Sequence, residues 1–414
     1  MVHHQETPMA APAGLLPRLT PTPVMVAAAL AWSLVGCADN ATSPTVPDSP
    51  AAHAATAATA AAAAPLVWRV VRAGDSHTCG VTRDNRAWCW GSNFVGQLGD
   101  GGQLDQPRPV PVAGGLRFRN VTVGRNFSCG VTTDDLAYCW GNGALGNGTV
   151  FTSRQPVAVA GGRRFATIQS GLDHTCGITT AGKAWCWGNN QYGQLGNFSR
   201  VSQPTPVAVG GKHTWRWINP GGLHTCGVTT DSRVWCWGRN VEGQLGGGTT
   251  RSSIGSPVAI SGGLAFRNVS AGHFHTCGVT TAERTYCWGS NNTGQLGDGS
   301  GTSGSQPRSV AGTRRYSNAS ASQFYSCALT LAGQGACWGS NPRGELGDGT
   351  TTSRPTPGLV AGNLTFAQLS AGYSHACGVT PEGRAWCWGA NFIGQLGDGT
   401  KGMRTVPVLV AEPM

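Results

Sequence analysis

Five histidines and fourteen cysteines recur at fixed spacing and are the residues of this chain best suited to chemistry. His77, His174, His224, His275 and His375 each stand two positions before a cysteine, and every such cysteine has a second one ten positions later. The pairs are Cys79 and Cys89, Cys129 and Cys139, Cys176 and Cys186, Cys226 and Cys236, Cys277 and Cys287, Cys327 and Cys337, and Cys377 and Cys387. An imidazole with two thiolates is a zinc ligand set, an imidazole alone can serve as a general base, and two thiols facing across a turn form a disulfide. In the second and sixth copies the histidine is replaced by Phe127 and Tyr325 while both cysteines persist, which argues against a metal. Five equivalent histidines do not share one active site, and no acidic residue or nucleophile recurs at a fixed offset to complete a triad. The expectation is therefore no catalytic residue, no metal and no cofactor.

The elements that position these residues are short strands. Cys79 and Cys89 are symmetric about Asp84, so a hairpin places them opposite each other, within the reach of a disulfide. Trp88 and Trp90 flank Cys89 and share the face opposite to it, where they are expected to fill the core between repeats. A strand of the Leu66–Arg72 type precedes the hairpin and one of the Pro109–Ala113 type follows it, making four strands per unit. The marker cysteines advance in steps of 50, 47, 50, 51, 50 and 50, a period that indicates propeller blades. The expected fold is all-β: a seven-bladed propeller of four-stranded antiparallel blades over residues 66–414. Its ring is expected to be closed by the N- and C-terminal strands, which would join in one sheet.

The repeated Ala-Gly-x-x-His-(Thr/Ser) and Trp-Gly-x-Asn-x-x-Gly-Gln-Leu-Gly appear first as Ala73, Gly74, His77 and Thr78, then Trp90, Gly91, Asn93, Gly96, Gln97, Leu98 and Gly99. This pattern resembles the regulator-of-chromosome-condensation repeat family over about residues 66–410. The resemblance implies a seven-bladed propeller and structural histidines. The family's namesake is a guanine-nucleotide exchange factor for a nuclear GTPase, a role that a signal sequence and fourteen paired cysteines argue against here. A tryptophan-based ultraviolet photoreceptor in the family uses a Gly-Trp-Arg-His-Thr setting. Here Ser76, Leu223 and Ser374 precede the histidines. A secreted bacterial inhibitor of β-lactamases with this architecture binds another protein with one rim.

Ahead of the repeats, Val24–Val35 is an apolar run of twelve ending at Leu34-Val35-Gly36-Cys37. It is too short for a bilayer of about 30 Å and resembles a bacterial lipoprotein signal. The expected organisation is a signal peptide at 1–36, a lipid-modified Cys37 and an Ala/Thr/Pro-rich tether at 37–65. An ordinary secretory signal or an uncleaved anchor are the alternatives, and all three place the body outside the cytoplasm. The tether has almost no large apolar residue to offset its ordering entropy and spans roughly 30 Å. A location on the cell envelope, or secretion, follows.

Basic residues outnumber acidic ones by 29 to 19, and strand direction sorts them between the two rims. The rim formed by the turns between second and third strands and by the connections between units is called the turn rim. It takes fifteen basic residues, Arg163, Arg164, Arg216, Arg314 and Arg315 among them, against six acidic ones. The opposite, loop rim takes eleven against nine. Departures from the repeat pattern point the same way: Trp215-Arg216-Trp217, Arg163-Arg164 and Arg314-Arg315 form a candidate binding surface, with Trp215 and Trp217 as aromatic anchors. The expected partner is an acidic protein or an anionic glycan, met by a monomer that touches the membrane through its lipid and binds no nucleic acid. A propeller enzyme acting on a cell-surface polymer and a secreted inhibitor of another enzyme are the alternatives.

Overall fold

The chain divides into residues 1–62 and 63–414. The computed structural model describes residues 65–252 and 255–413. Cys37, the signal peptide and all of the tether except Pro65 lie outside the described residues.

Twenty-eight strands, β1 to β28 in chain order, form the regular structure, and no helix occurs among the described residues. They make seven four-stranded antiparallel sheets, each from four consecutive strands. Blade 1 holds β1 (Trp68–Ala73), β2 (His77–Thr82), β3 (Ala87–Gly91) and β4 (Gln106–Pro111). The first strand of each blade lines the central channel and the fourth forms the outer edge. The prolines of β4 are tolerated there because an edge strand can forgo ladder hydrogen bonds. In blade 4 the edge strand β16 shrinks to Val258–Ala259.

The ring closes where β1 packs against β25 (Gln368–Ala371) and β26 (His375–Val379). The expected single sheet joining both chain ends does not form. Blade 7 is completed by its own β27 (Ala385–Gly389) and β28 (Arg404–Leu409), and β1 stays with its own hairpin. The reason is strand order: among the described residues the earliest strand is a blade's first and the latest a blade's fourth, so every blade is whole and the last junction is a seam like the other six.

Each seam has its own apolar core. Cys79, Val81, Cys89 and Leu98 of blade 1 meet Phe118, Val121 and Trp140 of blade 2. At the closing seam Cys377, Cys387 and Leu396 meet Trp68, Val71 and Trp90. Within each hairpin the two cysteines are direct cross-strand partners, as Cys79 is to Cys89, and all seven pairs are joined as disulfides. Trp90, Trp140, Trp187, Trp237, Trp288, Trp338 and Trp388 are all fully buried. The glycine closing the Gln-Leu-Gly motif lets the next tryptophan in: Gly397 has φ +73°, and a Cβ there would lie 2.6 Å from Trp90 Nε1.

Candidate binding surfaces

The histidines stitch seams. His77 Nε2 lies 2.8 Å from Ser128 Oγ of the next blade, and that hydroxyl donates to Gln97 O at 2.9 Å. Because the hydroxyl proton goes to the carbonyl, the imidazole is the donor. His174, His224 and His275 repeat the contact with Thr225, Thr276 and Ser326, and His375 carries it across the closing seam to Thr78. Burial lowers the pKa of all five to about 3, so they are neutral. In blade 6 the Tyr325 hydroxyl donates instead to His375 O. The cysteines that a zinc site would use are all joined in disulfides.

The turn rim forms as strand direction requires. Phe118 N donates to Asn85 O and Phe165 N to Asp135 O, so each hairpin turn is zipped to the connection entering the next blade. Arg69 and Glu412 join this rim, through Asn85 and the Leu66 amide. One adds a positive and the other a negative charge, so its excess is unchanged. Arg164 reaches Asp134 O, Arg315 pairs with Glu283 at 3.3 Å, and Arg314 lies beside Tyr316. Arg163 stacks on Trp185, its guanidinium carbon 3.7 Å from the ring centroid. Arg216 is exposed, and it donates to Phe266 O of the next blade at 2.8 Å.

Two aromatic anchors are corrected. Trp215 is buried, packed on Trp237 in the seam core, because it occupies the first-strand position held by Trp68 and Phe118 elsewhere. Trp217 lies two residues on and lines the channel, its Nε1 donating to Val269 O at 2.7 Å. Neither stands on the rim surface.

Exposed apolar side chains gather on the opposite, loop rim: Phe94, Leu104, Phe151, Phe198, Phe392 and Tyr373. Phe94 and Phe392 occupy the variable position after the asparagine of Trp-Gly-x-Asn, the signal that reading the motif as pure scaffold passed over. At the channel mouth on this rim sit Asp75 and His273. Burial raises the carboxyls of Asp75 and Asp173 against the pull of Arg125, and burial lowers His273 to about 4.

The profile of the RCC1-like domain matches residues 34–300, and that of the regulator of chromosome condensation (RCC1) repeat matches 283–329, 337–379 and 382–414. The chain belongs to the RCC1-like domain family. No curated protein sequence matches it. Among solved structures this RCC1-like propeller is similar to human WBSCR16, with TM-score 0.69 and 21% identity over 76% of this chain and 87% of that one. It is also similar to Prp20p from Saccharomyces cerevisiae, a protein described with its binding to Gsp1p and histones, with TM-score 0.70 and 20% identity over 84% and 88%. The CRINKLY WD40 ectodomain of the Arabidopsis thaliana receptor kinase ACR4 follows with 0.52 and 19% over 78% and 96%. At these identities the likeness is one of fold.

Proposed function

We propose that this chain is an exported RCC1-like propeller, lipid-anchored at Cys37, that binds an acidic protein through its turn rim. The observation that carries the reading is the one-sided charge: a nine-charge excess on one rim against two on the other. Such asymmetry steers an acidic surface to one face and sets its orientation. A propeller related in fold, Prp20p, is described by its binding to proteins. Seven disulfides fit an oxidising compartment outside the cytoplasm. The rim then works as a monomer's docking face, without cofactor, nucleic acid or catalytic step, and inhibition of a bound enzyme is one use of such a face.

A second reading rests on where the chain enters. The Leu66 amide is hydrogen-bonded to Glu412 on the turn rim, so the first strand of the propeller begins on its basic side. The same charge then holds this rim against anionic headgroups, and the loop rim with Phe94 and Phe392 meets the partner.

Replacing Arg163, Arg164, Arg314 and Arg315 together by Glu separates the two. Capture of acidic partners from a cell-envelope extract falls and loses its salt dependence if the turn rim docks them. Unchanged capture with weakened binding to anionic vesicles favours the second reading, and no change in either refutes both. Cys37→Ala abolishes lipid labelling if the anchor is as proposed.

A further inference from the structure

At the next-to-last position of the channel-lining strands, a side-chain oxygen normally accepts the backbone amide of the next blade. Thr122 takes Ser170 N at 2.7 Å, Asn219 takes Ala271 N at 2.8 Å, Ser270 takes Ala321 N and Ser320 takes Ala371 N at 3.0 Å, and Ser370 takes Ala73 N at 3.2 Å. Two seams lack this stitch. Gln169 faces Pro220, which has no N–H to give. Arg72 faces Val123, and a guanidinium has no acceptor to offer. Arg72 therefore stands where a threonine or serine would hold the seam together.

Nothing else in the fold explains it. Arg69 and Arg119, its neighbours at the turn-rim mouth, donate to Phe118 O and Phe165 O, and Arg119 also pairs with Asp135 at 2.7 Å. Arg72 has no carboxylate and no carbonyl within hydrogen-bond reach among the described residues, and its Nε is out of solvent and unpaired. Burial without a counter-charge lowers its pKa to about 10. Gln169 is buried, and its side-chain amide makes no hydrogen bond among the described residues. Space exists beside both: a channel cavity of about 210 Å³ and a mouth of about 290 Å³ toward the turn rim share Arg72, Gln169 and Trp217 in their walls. With its Nε1 engaged, Trp217 offers the channel an apolar ring in a polar lining.

We infer that the channel is a binding site for a single carboxylate on a narrow stem, the class presented by a glutamate or aspartate side chain of an acidic partner. Arg72 is its counter-charge, Gln169 a hydrogen-bond partner and Trp217 the surface for its methylenes. One unpaired guanidinium matches a monoanion, and a forked donor matches a carboxylate. The inference deepens the turn-rim reading and rests on it for the source of the carboxylate.

The test is calorimetric titration with acetyl-glutamate-methylamide, its glutamine counterpart and galacturonate, using the disulfide-bonded propeller and two variants. Wild type prefers the glutamate compound over the glutamine one by tenfold or more. Arg72→Thr abolishes that preference while its Tm stays equal or rises, because the threonine restores the seam acceptor. The rim variant with Glu at 163, 164, 314 and 315 keeps the preference, so failure of rim docking is read separately from failure of the channel site. No preference in wild type, a preference retained in Arg72→Thr, or a lowered Tm in that variant overturns the assignment. Tighter binding of galacturonate than of the glutamate compound overturns the peptide class in favour of an acidic sugar.

Discussion

A histidine buried against a hydroxyl makes the molecule sensitive to acid. In the unfolded chain each of the five seam histidines titrates near 6.5, and in the folded propeller near 3. Because the folded value is depressed, the unfolded state binds more protons below 6.5. Stability is complete above that pH and is lost as pH falls toward 3, by about 1.4 kcal/mol per pH unit for each histidine. Urea midpoints measured from pH 7.5 to 4.5 are expected to fall. His224→Gln is expected to reduce the slope by about one proton, and a slope unaltered in that variant would remove the histidine from the account. Residue type alone was a poor guide to exposure: Trp215 and Trp217 read as a pair of anchors, yet one belongs to the seam and the other to the channel, because a β-bulge between them breaks the alternation that would have put both on one face.

The element that repeats most faithfully is the disulfide-closed hairpin. Each bridge closes a loop with a sequence separation of 10 and adds up to ~2.7 kcal/mol in the chain-entropy model. Reduction of a soluble body starting at Leu66 is expected to raise its intact mass by fourteen hydrogens and lower its urea midpoint. Peptides linking Cys89 to Cys129 would contradict the pairing. The Trp-Gly-x-Asn-x-x-Gly-Gln-Leu-Gly loop is as self-contained as the hairpin. Asn93 Oδ1 takes the Leu98 amide, Gln97 Oε1 takes the Val95 amide and Gln97 Nε2 donates to Ser92 Oγ, so the polar motif residues are committed to partners within the loop itself. The variable position between them is left to the surface, as Phe94 shows.

For the whole ring the question is whether the closing seam equals the others. Trp90 Nε1 donates to Gln395 O at 3.0 Å across the junction of blades 7 and 1, and Trp288 Nε1 donates to Gln244 O at 2.9 Å at an internal seam. Trp90→Ala and Trp288→Ala each leave a cavity expected to cost about 3–5 kcal/mol. Equal losses in a single cooperative transition are the signature of a closed ring. A clearly smaller loss for Trp90→Ala would mean that the seam is frayed. Because closure runs through packing of β1 rather than through a shared strand, truncation within β28 tests blade 7 and not the ring.

Repeat number, strand order, disulfide partners and the sorting of charge between rims were legible in the chain itself, because they depend on period, alternation and direction, which are local properties of sequence. Contacts between blades were not. A histidine fifty residues from its hydroxyl, a tryptophan buried by its neighbour's glycine and an arginine standing where a seam acceptor belongs acquire meaning only when the ring brings one blade's residues against the next. The placement of Arg72 follows the same logic: along the sequence it is one basic residue among 29, and the amide it fails to satisfy belongs to the next blade.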